Sequence, residues 1–386
     1  MTPPAVQPQD LDPGERYEFH RLMRRDRRYR WWRPIAFAAT GTGFFIVLSI
    51  LMVIVTVIML MFTPGFWNDD FSAIDETAAL ENMADPAMFS LLMFSLIIMI
   101  PAVWLAYLLL GSKPVGLLVS VTGKIRWKWL SIALAASAVI YGIYFAINLL
   151  IEALGLVDSA PVPASSIPTN PLFYVILVLL LTPLQCAAEE LVFRGALMQI
   201  IGSWLKHPLF AILLPVPLFT FGHIYDVYGL LDVAFYAVAA GYLTWRTGGL
   251  EAAMAVHIIN NTFLFLLGAF GLVDLNASGS DPVGLIFSVL LTVLVTFVVL
   301  SLAKRHGIQR TAGPAPQPVQ PAMLQPWPMA QPMPGIPPHI PWRPEQVHEP
   351  SPYPHGYQQP PANPYAAPQE QPTNDPDQNQ QPPSGN

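Results

Sequence analysis

Eight apolar runs of membrane-spanning length constrain this chain more than any other feature of its sequence. They lie at residues 35–62, 88–110, 131–154, 171–200, 208–225, 229–246, 250–272 and 283–303. A helix needs about 20 apolar residues to cross a bilayer. Only 11% of the chain is charged, against about 25% in an ordinary globular protein. The sequence therefore predicts an all-α polytopic membrane protein with about eight transmembrane helices, and it excludes a soluble cytosolic protein.

The positions of lysine and arginine predict the orientation of these spans. Residues 1–34 contain eight arginines, and loops that stay in the cytoplasm carry an excess of basic residues. The alternate loops contain no lysine or arginine, namely 63–87, 155–170, 224–229 and 272–284. We expect a multi-pass protein of the cell membrane with both termini in the cytoplasm. A cleavable signal peptide is the alternative for the first run, but 28 residues far exceed its usual apolar length of about 7–15.

Composition divides the chain into four segments. We predict a basic cytoplasmic N-terminus at 1–34, three transmembrane helices at 35–170, a membrane core at 171–303 and a cytoplasmic tail at 304–386. The tail is rich in proline and glutamine and has no apolar period, so it is predicted to be disordered. It is either a solvated tether or a segment that binds an SH3-like or coat partner. Because the basic residues mark topology, no nucleic-acid partner is expected.

Six polar residues within or beside the predicted spans carry the chemistry of this chain. They are Glu189, Glu190, Arg194, His223, His257 and Asn261. An ionisable group at membrane depth costs about 2.5–3.5 kcal/mol, so these side chains are expected to converge on one another or on water. Glu190 and Arg194 have the i, i+4 spacing and order of a favourable ion pair. Glu189 lies about 100° around the helix and is expected to point elsewhere.

The same residues suit the hydrolysis of a carbonyl compound by water. A carboxylate removed from bulk water is an effective general base near neutral pH. A histidine beside it orients the water or shuttles its proton. A second histidine and an amide, such as His257 and Asn261 on one helical stripe, are suitable donors to the oxyanion that forms.

Three motifs make this chain similar to a known family. Residues 189–194 read EELVFR, residues 219–223 read FTFGH, and residues 257–261 read HIINN. They match the EExxxR, FxxxH and HxxxN motifs of the CPBP, or Abi, family of intramembrane endopeptidases, which includes the type II CAAX prenyl endopeptidases. The resemblance is strong over about residues 171–270 and identifies 171–303 as a catalytic membrane core.

The resemblance also implies a role for each polar residue. Glu189 and His223 would activate the attacking water, and His257 with Asn261 would form the oxyanion pocket. Glu190 and Arg194 would hold the helix that presents Glu189. No cofactor is favoured, because the sequence lacks the HExxH pattern of a zinc protease. A zinc site made of Glu189, His223 and His257 stays open as the alternative.

The predicted function is an intramembrane endopeptidase that cleaves membrane-associated or lipidated protein substrates at the bilayer. The chamber is expected to open towards the cytoplasm. Two alternatives remain, a non-proteolytic immunity or scaffold protein of the same family and a proton-coupled carrier. Counted along straight helices, His223 lies too far from the other polar residues, although Pro215 and Pro217 are placed to break its span.

Overall fold

A computed structural model describes residues 15–62, 82–157, 161–279 and 281–314. Eleven α-helices account for most of the described chain. They are α1 (Arg33–Met61), α2 (Pro86–Ile97), α3 (Met99–Leu110), α4 (Trp127–Ala153), α5 (Pro171–Glu190), α6 (Met198–Trp204), α7 (Pro208–Leu213), α8 (Val216–Thr220), α9 (Val227–Thr247), α10 (Glu251–Ala269) and α11 (Pro282–Arg305). The predicted all-α polytopic class is confirmed. The tail beyond residue 314 lies outside the described residues.

Seven of the eight predicted spans correspond to helices long and apolar enough to cross a membrane. The exception is the run at 208–225, which forms the two short helices α7 and α8. Pro215 and Pro217 lie at this interruption, where each proline lacks an N–H and disfavours helix in the residue before it. Pro183, in contrast, lies inside α5 without ending it.

The loops between helices gather on two faces. On the first, which we call the basic face, His20 Nε2 lies 3.1 Å from the Lys206 carbonyl oxygen. Arg126 donates to the Thr247 and Gln309 carbonyls on the same face. The basic face therefore unites the segments that hold the lysines and arginines, including 111–126, 203–207, 246–250 and 304–314.

The remaining loops meet on the other side, which we call the opposite face. Asn276 accepts a hydrogen bond from Met83 N at 2.8 Å and donates to Ser166 Oγ at 3.2 Å. Asp226 N donates to the Ser278 carbonyl at 2.6 Å. The broken pair α7–α8 thus runs from Lys206 on the basic face to Asp226 on the opposite face, as an eighth crossing would.

The helices that begin on the opposite face share one type of N-cap. Asp85, Asn170, Asp226 and Asp281 each accept hydrogen bonds from backbone N–H groups in the first turn of α2, α5, α9 and α11. Short polar side chains satisfy the free N–H groups at a helix N-terminus, and the negative charge of the three aspartates also suits its dipole. Three of these caps are followed by proline, which is also favoured there.

The N-terminal segment is folded against the basic face. A 3₁₀-helix at Phe19–Arg25 packs on α6, and Tyr17 pairs with Ala312 in a two-residue antiparallel ladder. Gly202 permits this contact, because a Cβ at that position would lie 2.0 Å from the His20 carbonyl oxygen. The predicted polar N-terminus therefore contributes buried side chains to the membrane domain.

Four arginines of that segment, which we call the arginine collar, bond to backbone carbonyls. Arg21 and Arg24 donate to the Gly202 and Ser203 carbonyls of α6, at 2.8 and 2.6 Å. The others contact the end of α3 and the residues after it, with Arg33 donating to Leu110 and Arg25 to Lys113. Carbonyls at a helix C-terminus lack intrahelical partners and favour cations.

Helix α10 lies at the centre of the membrane domain and packs against α4, α5 and α9. Its first two turns are fully enclosed, with Ala252, Ala253 and Ala255 at 0% exposure. Small residues allow helices to approach closely inside a membrane. This close packing holds His257, the first ionisable residue of α10 after Glu251, against α5.

Candidate active site

The two acidic residues occupy the end of α5, where the helix changes its geometry. Glu189 and Glu190 are both buried, and a π-helical segment at Leu191–Leu197 follows them and carries Arg194. A π-helical turn is rare and occurs frequently at functional sites. The acidic pair and its basic partner are therefore presented by a locally widened helix.

Arg194 is held from three directions. Its Nη1 donates to Glu190 Oε1 at 3.0 Å, and its Nη2 donates to the Ala237 carbonyl of α9 at 3.3 Å. The guanidinium also lies 4.4 Å from the centre of the Phe219 ring. The predicted ion pair between Glu190 and Arg194 is present, and it joins α5 to α8 and α9.

His257 of α10 lies between the two glutamates. Its Nδ1 donates to Glu190 Oε1 at 2.9 Å, while its Nε2 lies 3.6 Å from Glu189 Oε2. Glu189 does not share the face of Glu190, as the helical period predicts, yet it contacts the same imidazole. The two carboxylates leave the helix in different directions, and the imidazole ring lies where it meets both.

The charges of this cluster balance when His257 is protonated on both nitrogens. Two buried carboxylates and one guanidinium leave a single negative charge, and an uncompensated charge in a low-dielectric interior is very costly. An imidazolium donates from both ring nitrogens, which fits the carboxylates on either side. Glu189 Oε2 has no hydrogen-bond partner among the described residues.

His223 lies in the turn after α8 and is half-buried. Its Nδ1 lies 2.9 Å from the Phe219 carbonyl oxygen, and its ring centre is 4.9 Å from that of Phe219. The Phe219 ring is in turn 6.3 Å from the His257 ring. The interruption at Pro215 and Pro217 thus brings His223 into the same site as His257, which a straight helix would not.

A cavity of about 310 Å³ connects these residues. His223, His257 and Asn261 line it, together with Tyr236 of α9 and residues from α4 and α11. The Asn261 Oδ1 accepts a hydrogen bond from Asn260 at 3.0 Å, and its Nδ2 has no partner in the described ranges. Glu189 is not a lining residue and is joined to the cavity by its contact with His257.

The sequence analysis assigned no role to two residues that the structure places beside the site. Asp232, to which we gave no role, lies in the cavity wall and accepts a hydrogen bond from Ser288 Oγ at 2.7 Å. Tyr236 has its hydroxyl 3.4 Å from Glu190 Oε1 and its ring 5.1 Å from that of His257. Asp232 and Tyr236 are four residues apart on α9, so their shared helical stripe was the available signal.

The alternative zinc set does not assemble. Both nitrogens of His257 face carboxylates, and His223 Nδ1 faces a backbone carbonyl. Across residues 15–62, 82–157, 161–279 and 281–314, no group of three His, Cys, Asp or Glu side chains is arranged to hold a metal ion. Glu189, His223 and His257 as placed do not fit a zinc ion, and no step is assigned to one.

The described lining of the cavity reaches the opposite face. Asp274, Ala277 and Gly279 line it at one end, and these residues belong to the loop on the opposite face. None of its lining residues comes from the described loops of the basic face. Within the described residues, the lining therefore runs from His257 towards the opposite face, and the expected cytoplasmic opening stays a prediction.

Fold and site together define a polytopic membrane protein with a buried carboxylate–histidine cluster beside a polar cavity. Residues 168–263, which contain all three motifs, match the family model "Type II CAAX prenyl endopeptidase Rce1-like". The resemblance inferred from the motifs is confirmed over this segment. At the level of the family, the match supports an intramembrane protease of the CAAX type.

One curated relative extends the similarity beyond this segment. It is the "Uncharacterized protein YyaK" of Bacillus subtilis (strain 168), 30% identical over 177 residues. The alignment covers 43% of this chain and 56% of the relative, so the chain spans little more than half of that protein's length. No solved structure matches this chain.

Proposed function

We propose that this protein is an intramembrane endopeptidase that hydrolyses peptide bonds in membrane-associated or lipidated substrates. The observation that carries the proposal is His257, which contacts two buried carboxylates and lines a cavity large enough for part of a peptide. Cavities of about 300–1,000 Å³ are typical of sites that bind small ligands. The proposal applies the activity of the matched family to this arrangement.

The first step assigns Glu189 as the general base. Its Oε2, which has no hydrogen-bond partner among the described residues, takes a proton from a water molecule, and the water oxygen attacks the substrate carbonyl carbon. His223 orients that water, since its Nδ1 is engaged by the Phe219 carbonyl and its Nε2 is left to accept a hydrogen bond. Glu189 then returns the proton to the leaving amine as the C–N bond breaks.

The second step assigns the donors to the carbonyl oxygen, which becomes negatively charged. His257 Nε2–H and Asn261 Nδ2–H provide two such donors from one helical stripe of α10. Donors positioned in advance in a site of low dielectric constant stabilise developing charge far better than water does. Glu190 and Arg194 act as positioning residues, because Glu190 holds the His257 ring and Arg194 holds Glu190.

The test compares the peptide termini in membranes that contain the wild type or Glu189→Gln. We expect wild-type-dependent termini to be lost in this variant, since general-base catalysis contributes about 10²–10⁴-fold to rate. Glu152→Gln is the matched control, because Glu152 lies exposed near the end of α4 and far from the site in sequence. Identical sets of termini in the wild type and Glu189→Gln would contradict the proposal.

A metal chelator tests the absence of a cofactor from the proposed mechanism. The wild-type termini should persist after chelation, since Glu189 and the two histidines are assigned roles without a metal. Their loss on chelation, and their return on addition of Zn²⁺, would replace this mechanism with a metal-dependent one.

A further inference from the structure

Two arginines meet one tryptophan on the basic face. Arg246 belongs to the last turn of α9, whereas Arg310 follows the end of α11. The guanidinium carbon of each lies 5.6 Å from the centre of the Trp245 ring, so the two carbons are no more than about 11 Å apart. Gly248 permits this approach, because a Cβ at that position would lie 2.7 Å from Arg310 Cα. Two helix ends therefore bring two positive charges to one indole.

Neither of these two charges is neutralised by a carboxylate of the described residues. The arginine ion pairs that the structure describes are those of Arg28, Arg126 and Arg194. The Nη1 of Arg246 donates to the Tyr242 hydroxyl at 3.1 Å. A hydroxyl oxygen and an aromatic ring attract a cation, but they carry no net charge to balance it.

The carboxylates of the same face are already engaged by other groups. In the described part of the chain these are Glu15 with the Tyr17 hydroxyl, Glu18 with His20, Asp26 with Arg28 and Glu251 with Arg126. Two guanidinium groups held near one ring repel each other. An anion that lies between them relieves this repulsion, and Arg310 is exposed, so its side chain has room to close on a shared anion.

Two polar atoms beside these cations point to the same kind of ligand. Trp245 Nε1 and Arg246 Nε are buried and have no hydrogen-bond partner among the described residues. A buried donor without an acceptor is costly, so a group that supplies several oxygen acceptors is favoured here. Both side chains are only partly buried, and a change of rotamer brings these donors to the surface.

The apolar surface beside the two arginines favours a lipid over a soluble anion. Trp245 packs against the buried cluster that contains Ile212 of α7. Elsewhere on its surface α7 exposes Leu209, Phe210 and Leu213. Tryptophan is enriched at the boundary between lipid headgroups and acyl chains. The cations and the exposed side of α7 therefore match the two parts of one phospholipid molecule.

We infer that Arg246, Arg310 and Trp245 bind the phosphate of an anionic phospholipid whose acyl chains lie along the exposed side of α7. A guanidinium matches a phosphate with two parallel N–H donors, and the indole N–H adds another. Basic pockets between membrane helices bind such headgroups. The bound phosphate joins α9 to the segment after α11. This site is separate from the proposed catalytic residues and does not depend on their activity.

A lipid titration of the purified full-length protein tests this site. Phosphatidylglycerol, phosphatidylcholine or the soluble headgroup glycerol phosphate is added to the protein in dodecyl maltoside micelles, and native mass spectrometry counts the bound molecules. Arg246→Gln with Arg310→Gln is the test variant. Lys304→Gln with Arg305→Gln is the matched control, because it removes two exposed charges from the same face. Thermal unfolding in phosphatidylcholine alone checks that both variants fold.

We expect the wild type and the control to bind phosphatidylglycerol with equal affinity and the test variant to bind it about 25-fold more weakly, or about fivefold for each arginine. Arg310→Gln alone, at an exposed position, should weaken binding about fivefold and keeps the comparison valid if the double variant does not fold. Equal weakening in the test variant and the control would overturn the proposal, because it would show a general attraction to the basic face.

Two further results of the same titration would contradict a phospholipid site. Phosphatidylglycerol that binds the wild type no more tightly than phosphatidylcholine does would show that the negative charge is not recognised. Glycerol phosphate that binds as tightly as phosphatidylglycerol would show that the acyl chains contribute nothing and that the ligand is a soluble phosphate.

Acidic side chains of residues 1–14 and 315–386 are the rival occupants. The sequence has seven in these two ranges, namely Asp10, Asp12, Glu345, Glu349, Glu370, Asp375 and Asp377. A full-length variant with all seven changed to the corresponding amides should bind phosphatidylglycerol as the wild type does. If only this variant binds the lipid, the chain's own carboxylates occupy the two arginines and the proposal is wrong.

Discussion

The buried carboxylate–histidine cluster and the arginine collar satisfy buried charges in different ways. In the cluster, Arg194 is neutralised by a carboxylate, and His257 contacts two. In the collar, Arg21 and Arg24 donate to the terminal carbonyls of α6. Where solvent is near, the partial charge of about half a unit at a helix end is enough to stabilise a guanidinium. In the membrane interior a guanidinium needs a full counter-charge.

The comparison predicts the largest stability effect at Glu190. The variant Glu190→Gln removes the negative charge that Arg194 and His257 share and should cost about 3–5 kcal/mol of unfolding free energy. Reversible unfolding of the purified protein in mixed micelles measures it. Glu152→Gln should unfold like the wild type.

A second variant distinguishes loss of the charge partner from loss of packing at this site. Adding Arg194→Met to Glu190→Gln removes the unpaired guanidinium and should recover part of the lost stability. If the double variant is less stable than Glu190→Gln alone, the attribution to an uncompensated charge is wrong.

A smaller effect is expected where the basic face uses a carboxylate. Arg126 binds Glu251 through two nitrogens and also reaches the Thr247 carbonyl. Arg126→Lys loses the two-pronged geometry and should cost about 1.5–3 kcal/mol in the same unfolding measurement. Arg28→Lys is the matched control, because Arg28 is exposed although its partner Asp26 is partly buried, and the pair is expected to contribute about 1 kcal/mol or less. Equal losses of unfolding free energy in Arg126→Lys and Arg28→Lys would show that burial does not make the Arg126–Glu251 pair the stronger one.

The smallest predicted effect concerns His20, a buried histidine of the N-terminal 3₁₀-helix. Burial lowers the pKa of His20, although the Lys206 carbonyl and Glu18 oppose the shift while Arg21 and His207 add to it. The unfolded chain therefore takes up a proton first as the pH falls through about 6.5. The folded state should lose at most about 1.4 kcal/mol per pH unit below that point.

The pH effect is measured as a difference between two proteins. His20→Gln removes this titration and leaves His257 in place, so its stability should fall less than that of the wild type between about pH 8 and pH 5.5, the range in which histidine titrates. Parallel pH profiles for the two proteins would contradict the assignment to His20.

Much of the fold was readable from the sequence because a bilayer imposes simple rules. A polar backbone must satisfy itself by helix formation inside lipid, so apolar length predicted seven of the spans to within a few residues. The distribution of lysine and arginine predicted which loops gather on one face. Prolines at 215 and 217 marked the interruption, although the sequence could not show that it would bring His223 beside Phe219 and His257.

The candidate site was readable only in part. Spacing along one helix predicted the pair of Glu190 and Arg194, because residues four apart meet on any α-helix. It could not predict the contact of Glu189 with His257, because that contact joins two different helices. Asp232 was passed over because a single acid near a span end has no local partner in the sequence, and Ser288 lies on another helix.

The sequence by itself determined seven of the membrane helices to within a few residues, the loops that hold the basic residues and the three motifs of the family. Only the tertiary structure decided that one imidazole lies between two carboxylates and that the broken pair α7–α8 brings His223 to the same cavity. The reason is physical. Hydrophobicity and helical period are properties of neighbouring residues, whereas the shape of a cavity depends on how separate helices pack.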